Sequence, residues 1–332
     1  MSKIRVGLYG SNGHQIHNRL IDHPHAEIVA VAAFGPAAIP DHLTKAGVQV
    51  YESLDELLAS DVQLVSLCSP RRADQADDAI RSMEAGKHVY AEKPCALRSD
   101  DVDRITATAH RTGVIFHEMA STAFDQPYCT LRRIVESGVL GTIVQVYSQK
   151  SYPWHDGRLQ DEQIDGGLAT QAGVYNARFV EHVAGVRIRS LTLKETRLGN
   201  PIADGQCRRA VSMIMELENG GAASGVANYL CPAPPWWGKW GYETVRIWGT
   251  NGFIESIDSG RIGTIAITGQ DPQTLDFSDP FPAYLDMFID EIRTGKKIIP
   301  FTLEKEISPT RWVVLAKGGS PATASNQITA PQ

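Results

Sequence analysis

Residues 85–97, AGKHVYAEKPCAL, constrain this chain more than any other stretch. They read as the end of a helix, a turn at Gly86, a short buried strand over His88 to Ala91, and a polar knot, Glu92-Lys93-Pro94. A carboxylate and an ammonium placed directly after a buried strand are costly unless both find partners. In an open parallel sheet, ligands bind just beyond the carboxyl ends of the strands. Lys93 is therefore the first candidate for chemistry, weighed against a plain surface Glu–Lys pair that closes a loop.

The N-terminal segment supplies a second reason to expect a ligand. Ile4 to Tyr9 is a short β-rich apolar run, broken by Gly10-Ser11-Asn12-Gly13. A helix is expected from near His14 to about Asp22, and a second strand over Ile28 to Phe34. Strand, glycine turn, helix and strand in this order make a dinucleotide-binding unit. Aligned on Gly10, the G-x-G-x-x-G positions read Gly10, Asn12 and Gln15. Asn tolerates left-handed backbone angles. Gln15 either holds the helix away from the strand or turns its amide toward the ligand. An acid at the end of strand two would bind a ribose 2′-hydroxyl, but Ala33-Phe34-Gly35 offers neither acid nor arginine. NAD and NADP both stay open. The candidate cofactor residues are Gly10, Ser11, Asn12, Gly13, His14, Gln15 and Phe34, together with Ser69, Pro70 and Arg71 after the strand Val62 to Cys68, and Glu92, Lys93 and Pro94. His14 and His17 have no carboxylate at metal-ligand spacing, so no metal is assigned.

Strands alternate with helices to about residue 118, which predicts a doubly wound parallel sheet over residues 1–118. Helices are expected from Tyr51 to Ala59 with Ser53 as N-cap, from Asp74 to Ala85, and from about Asp101 to Arg111 capped by Ser99. Val114 to Phe116 should be a strand ending in His117-Glu118. Beyond a helix at Tyr128 to Ser137 the pattern changes to long strands. These are TIVQVYSQKSY, RIRSLTLKETR, AVSMIMEL, GAASGVANYL, ETVRIWG and GFIESI, with hairpin signals at Asn219-Gly220-Gly221 and Gly249-Thr250-Asn251-Gly252. Residues 119–332 therefore predict an α+β domain built on a largely antiparallel sheet. Helices from Pro282 to Arg293 and about Pro309 to Ala316 close it and can pack back on the first domain. Residues 320–332 read as a loose tail.

The 332 residues allow roughly two domains. A net charge of −6 argues against a general binder of nucleic acid or anionic membrane, and no apolar run reaches the length of a membrane span. The five cysteines show no metal or CxxC spacing, and the N-terminus shows no leader, so a reducing cytoplasm is expected. In the second half, Trp236 and Trp237 crowd a loop over residues 233–240, where they would stack on a sugar face or pack at a subunit contact. Trp154 and His155 begin a loop placed to line a substrate cleft.

These segments together resemble the Gfo/Idh/MocA oxidoreductase family. The resemblance rests on AGKHVYAEKPCAL, SLDELLASDVQLVSLCSP, ESGVLGTIVQV and GGLATQAGVYNARFVEHVAG, which span most of the chain. It implies an N-terminal Rossmann domain and a C-terminal open-faced sheet that forms a homodimer or homotetramer. It also implies NAD or NADP as cofactor and oxidation of a hydroxyl on a sugar, polyol or related cyclic substrate. Lys93 then contacts substrate and cofactor, with a cis bond before Pro94. A lysine at its ordinary pKa of about 10.4 is a poor base, but a cationic nicotinamide and partial desolvation bring it into range. Tyr175 matches members that use tyrosine for proton transfer. Gln171 stands where most have aspartate, and its amide orients a hydroxyl without taking a proton. Arg178 and His182 follow at i+3 and i+7 and would face the substrate, His182 alternatively serving as an interface histidine. Asp74 replaces a frequent histidine. Two alternatives share this fold: a sugar epimerase or lyase that uses a tightly bound nicotinamide without net redox change, and a non-catalytic ligand-sensing regulator.

Overall fold

A computed structural model describes residues 2–34, 39–232, 241–318 and 322–323. The chain divides into two compact units. The first comprises Met1–Ala120, Gln163–Gly166 and Tyr284–Ile307, and the second Ser121–Glu162, Gly167–Ala283 and Ser308–Gln332.

The first unit holds six parallel strands: β1 (Ile4–Tyr9), β2 (Ala26–Ala32), β3 (Gln49–Tyr51), β4 (Leu64–Leu67), β5 (His88–Ala91) and β6 (Phe116–Glu118). Their order is β3-β2-β1-β4-β5-β6, so the direction of winding reverses between β1 and β4. All four residues of β4 are buried, as a strand covered on both faces requires. Ser53 caps helix Leu54–Ala59 by accepting the Glu56 N–H at 3.2 Å. Ser99 is the first residue of helix Ser99–Thr112, with Arg98 in the cap position. Helix Gln75–Glu84 joins β4 to β5.

The structure corrects the expected first helix. Only a short 3₁₀ turn, His17–Leu20, follows the glycines, and Asp22 then takes a positive φ of 53°. The residues that would open a helix are engaged elsewhere: the His14 N–H donates to Glu92, and the Gln15 side chain turns back onto the strand ends. Strand two also ends earlier than expected, because Ala33 adopts φ 53°. Helix Asp41–Lys45 comes from a stretch in which no element was expected, and Tyr51, expected to open a helix, instead ends β3, the helix beginning at Leu54 after its Ser53 cap.

The second unit is a nine-stranded sheet: β7 (Ile143–Pro153), β8 (Ile188–Thr196), β9 (Ala210–Leu217), β10 (Ala222–Cys231), β11 (Tyr242–Gly249), β12 (Gly252–Ile257), β13 (Ile262–Ile267), β14 (Gln273–Thr274) and β15 (Ala322–Thr323). The order is β14-β13-β12-β11-β7-β10-β9-β8-β15, antiparallel except between β7 and β10. β13 and β14 extend the expected sheet. β15 pairs with Leu191 and Ser190, so Ala322–Thr323 is not loose tail, while the rest of that expected tail lies outside the described residues. Helix Leu303–Lys317 starts earlier than expected and contains Pro309. Among the described residues no helix is long and apolar enough to cross a membrane.

Strand alternation sets which face of this sheet is covered. Val211, Met213, Met215 and Leu217 of β9 point to one face and are buried, while Ser212, Ile214 and Glu216 are exposed. The helical segment from Ala169 to Val183 lies on the buried face. Ser148 of β7 donates to Asn176 Oδ1 at 2.8 Å, and a Cβ on Gly225 would come within 2.6 Å of Asn176 Cγ. Gly225→Ala should therefore lower the urea midpoint by about 1–3 kcal/mol of stability, because the bonded Asn176 amide has nowhere to retreat. Gly173→Ala should cost clearly less, since its clash at 2.4 Å is with the mobile Met213 methyl. Equal losses in the two variants would contradict this packing.

Candidate active site

In the first unit, β5 delivers Glu92, Lys93 and Pro94 into a fully buried position, with Glu92 1% and Lys93 5% exposed. The Lys93–Pro94 peptide is cis, as the resemblance implies. The knot's backbone is held from the side. The Gln75 amide donates to the carbonyls of Glu92 and, at 3.0 Å, Pro94. Arg72, 1% exposed, donates to Gln75 and to the Asn12 carbonyl, the latter at 2.5 Å. The Cys95 N–H donates to Glu118 at 2.8 Å. The Glu92 carboxylate accepts the His14 N–H at 2.5 Å and lies 3.0 Å from the His14 ring nitrogen. Burial pushes the Glu92 pKa up, but the His14 hydrogen bond and the charges of Lys93, His14 and Arg72 outweigh it and hold the group at about 2. Arg72 and Gln75 were not singled out from sequence. Their buried, helix-opening positions directly after Ser69-Pro70-Arg71 were the available signal.

The glycine turn lies where the strand order reverses. Gly10 and Gly13, with φ of 66° and 138°, occupy its left-handed and extended-positive positions; Asn12 does not. A Cβ on Gly10 would stand 2.1 Å from the Cys68 carbonyl, so the turn is pressed onto the end of β4. The Asn12 amide donates to the Ile164 carbonyl at 2.6 Å. The Gln15 amide is spent inside, donating to the carbonyls of Tyr9, Gly10 and Ser66 while accepting from the Ser66 hydroxyl. Ser11, Gly13 and His14 form an exposed rim, with Pro70 and Arg71 exposed and Ser69 buried against Asp78. Phe34 is 8% exposed at the end of β2, with no carboxylate beside it in sequence. A close-packed glycine turn with an open rim at this position fits a dinucleotide.

Gly166, the last residue of its segment in the first unit, and Gly167, which opens the next segment of the second, both take positive φ. The helix after them is π-helical over Ala169–Gly173 and Phe179–Val183, with an α-helical turn, Val174–Arg178, between. Gln171 and Tyr175 are partly exposed, whereas Arg178 and His182 are each 1% exposed. The i+3 and i+7 positions are therefore buried where Gln171 and Tyr175 are not. A residue the sequence reading missed sits against Tyr175. Lys150 of β7, 5% exposed, places its Nζ 3.7 Å from the Tyr175 ring centre and pairs with Glu243, its cross-strand partner on β11. Glu243 also accepts from the Tyr128 hydroxyl. The Arg178 guanidinium lies 5.4 Å from the same Tyr175 ring. Two cations thus face a partly exposed phenol. Trp154 is partly buried and His155 exposed; slight burial and the Arg158 charge lower the His155 pKa. Trp236 and Trp237 lie outside the described residues.

Two family models match the chain: the oxidoreductase family with an NAD-binding Rossmann fold over residues 4–119, and the GFO/IDH/MocA C-terminal domain over residues 128–255. The chain is 29% identical over 176 residues to the dTDP-3,4-didehydro-2,6-dideoxy-alpha-D-glucose 3-reductase of Streptomyces violaceoruber, covering 52% of this chain and 51% of that protein. It is 26% identical over 230 residues to the inositol 2-dehydrogenase of Corynebacterium glutamicum, covering 66% of each. The chain thus spans about half to two thirds of the length of these curated relatives. In fold it is similar to KijD10, a 3-ketoreductase from Actinomadura kijaniata in complex with NADP and TDP-benzene. That match has a TM-score of 0.73 and 20% identity, over 96% of this chain and 97% of the other.

Because the folded-state pKa of Glu92 lies below its ordinary value of 4.5, its stabilisation is complete above about pH 4.5 and is lost as pH falls toward about 2. Glu92→Gln should flatten that part of the stability curve, measured by urea unfolding at stepped pH. A variant curve as steep as the parent's would show that this carboxylate is not held charged by its neighbours.

Proposed function

Since the chain belongs to the Gfo/Idh/MocA family of NAD-binding oxidoreductases, we propose that it transfers a hydride between a nicotinamide dinucleotide, NAD or NADP, and a carbinol carbon of a sugar, polyol or related cyclic compound. The observation that carries this reading is the glycine turn at the strand-order reversal together with a buried, pre-set Lys93 at the end of β5. The activities named for the two curated relatives, a sugar 3-reductase and an inositol dehydrogenase, support this substrate class.

Gly10 to Gln15, Phe34, Ser69 to Arg71 and Glu92 to Pro94 would hold the dinucleotide, whose nicotinamide supplies the hydride acceptor. Lys93 Nζ and the Tyr175 hydroxyl handle the proton that leaves the substrate oxygen. Lys150 Nζ lies 3.7 Å from the Tyr175 ring centre and fixes the ring beside the reacting oxygen. Gln171 orients the hydroxyl without exchanging a proton. Trp154, His155, Arg178 and His182 shape the substrate side. The exposed face of the sheet, where Ile214 is 69% exposed on β9 and Val144 48% on β7, is our proposed homo-oligomer contact. The five buried free thiols suit a reducing cytoplasm.

Lys93→Ala and Tyr175→Phe should each lower kcat by roughly a hundred- to ten-thousand-fold, while calorimetry still shows NAD(P)H binding. Near-parental turnover in Lys93→Ala would overturn the assignment.

A further inference from the structure

Two arginines of the second unit, Arg158 and Arg209, have no countercharge among the described residues. Arg209, just before β9 and only 9% exposed, stacks its guanidinium 4.3 Å from the Trp154 ring centre. Arg158 stacks 3.8 Å from the ring of Tyr229, which β10 carries. The two aromatic rings lie 6.5 Å apart, edge to face, so the four side chains form one cluster. Four of its buried donor atoms, Trp154 Nε1, Arg158 Nε and Arg209 Nε and Nη1, have no hydrogen-bond acceptor among the described residues. Neither arginine is ion-paired among those residues, and the remaining residues of the chain include no Asp or Glu. Buried donors are normally satisfied, and a buried unpaired guanidinium is costlier still. Lys150 on the same sheet shows the ordinary solution, a carboxylate partner in Glu243.

Stacking also fixes what the guanidinium groups can do. It occupies their faces and, apart from the Arg158 Nη2 group that donates to the Pro153 carbonyl at 3.2 Å, leaves in-plane N–H groups for an oxyanion, the geometry in which arginine grips carboxylate or phosphate. The cluster lies beside Tyr175. The Tyr152 ring is 5.9 Å from the Arg158 guanidinium and 5.3 Å from Lys150 Nζ, and Lys150 in turn lies against Tyr175.

We propose that Trp154, Arg158, Arg209 and Tyr229 form an oxyanion subsite, and that the substrate is a sugar or polyol bearing a carboxylate or phosphate group. The proposal rests on the oxidoreductase reading only for the word substrate; the subsite itself is tested by binding. Isothermal titration of the full chain, saturated with NADH or NADPH, would use glucose, gluconate and glucose 6-phosphate as probes. One of the two anions should bind roughly ten- to a hundred-fold more tightly than glucose, and which one does so identifies the oxyanion. Arg158→Met, on a partly exposed loop, and Arg209→Lys should both erase most of that preference without changing NAD(P)H affinity. Equal affinity for all three probes, no binding of any of them, or a preference that survives both substitutions would overturn the proposal. Loss of NAD(P)H binding by the parent chain would instead count against the oxidoreductase reading, and the same titrations without cofactor would still decide the subsite.

Discussion

The burial of the Glu92–Lys93 pair is the constraint around which the first unit is arranged. Removing a carboxylate and an ammonium from water at the end of a strand costs several kcal/mol per ion unless geometry restores it. Each element that reaches the spot contributes. The glycine turn brings the His14 N–H, the loop after β4 brings Arg72, and helix Gln75–Glu84 opens with the residue that binds the knot's carbonyls. The early failure of the first helix follows from the same demand, because His14 and Gln15 make bonds across the sheet instead of along a helix. The departure from the glycine fingerprint at Gln15 therefore has a local purpose: its amide ties the ends of β1 and β4 together.

The second unit solves the same problem differently at two places on one sheet face. Under Tyr175 the cation is matched, since Lys150 and Glu243 are register partners on neighbouring strands and Tyr128 adds a hydrogen bond. At the ends of β7 and β10 the cations meet aromatic faces and, for Arg158, the Pro153 carbonyl, but among the described residues no carboxylate. Cation–π contact recovers on the order of 0.5–2 kcal/mol, which is less than an unpaired buried guanidinium forfeits. A folded chain that keeps such a group sacrifices stability at a position where an anion would restore it.

Much of this was legible in the sequence. β1, β5, β9 and β12 were read to the residue, because each is a short apolar or alternating run bounded by glycine or charge. The knot and its lysine were legible because polar residues after a buried strand must be accounted for. What escaped depended on partners distant in sequence. Nothing local announces that His14 will bond to Glu92 instead of starting a helix, or that the Tyr175 helix is π-wound on either side of one α turn. Lys150 and Arg209 carried a usable signal that was not exploited. Alternation from Val146 and Ser148 puts position 150 on the covered face, and alternation from Val211 and Met213 does the same for position 209.

That signal separates structural charges from functional ones. A lysine or arginine at an inward strand position must find a carboxylate, an aromatic face or a ligand, since water is excluded there. For Lys150 the register supplies the carboxylate directly opposite, so the charge is closed within the fold and its remaining influence is on the Tyr175 ring. Arg209 lies just before β9 begins, and the residue bonded across from it is Tyr229, whose ring is already covered by Arg158. The ladder at that end thus offers arginine to arginine through two aromatic rings, an arrangement in which like charges repel unless an anion sits between them. In a chain with a net charge of −6, acidic side chains were available in number to neutralise that pair. Among the described residues no carboxylate is ion-paired with either guanidinium, and apart from the Arg158 donor held by the Pro153 carbonyl their in-plane donors are left to whatever oxyanion the molecule takes up.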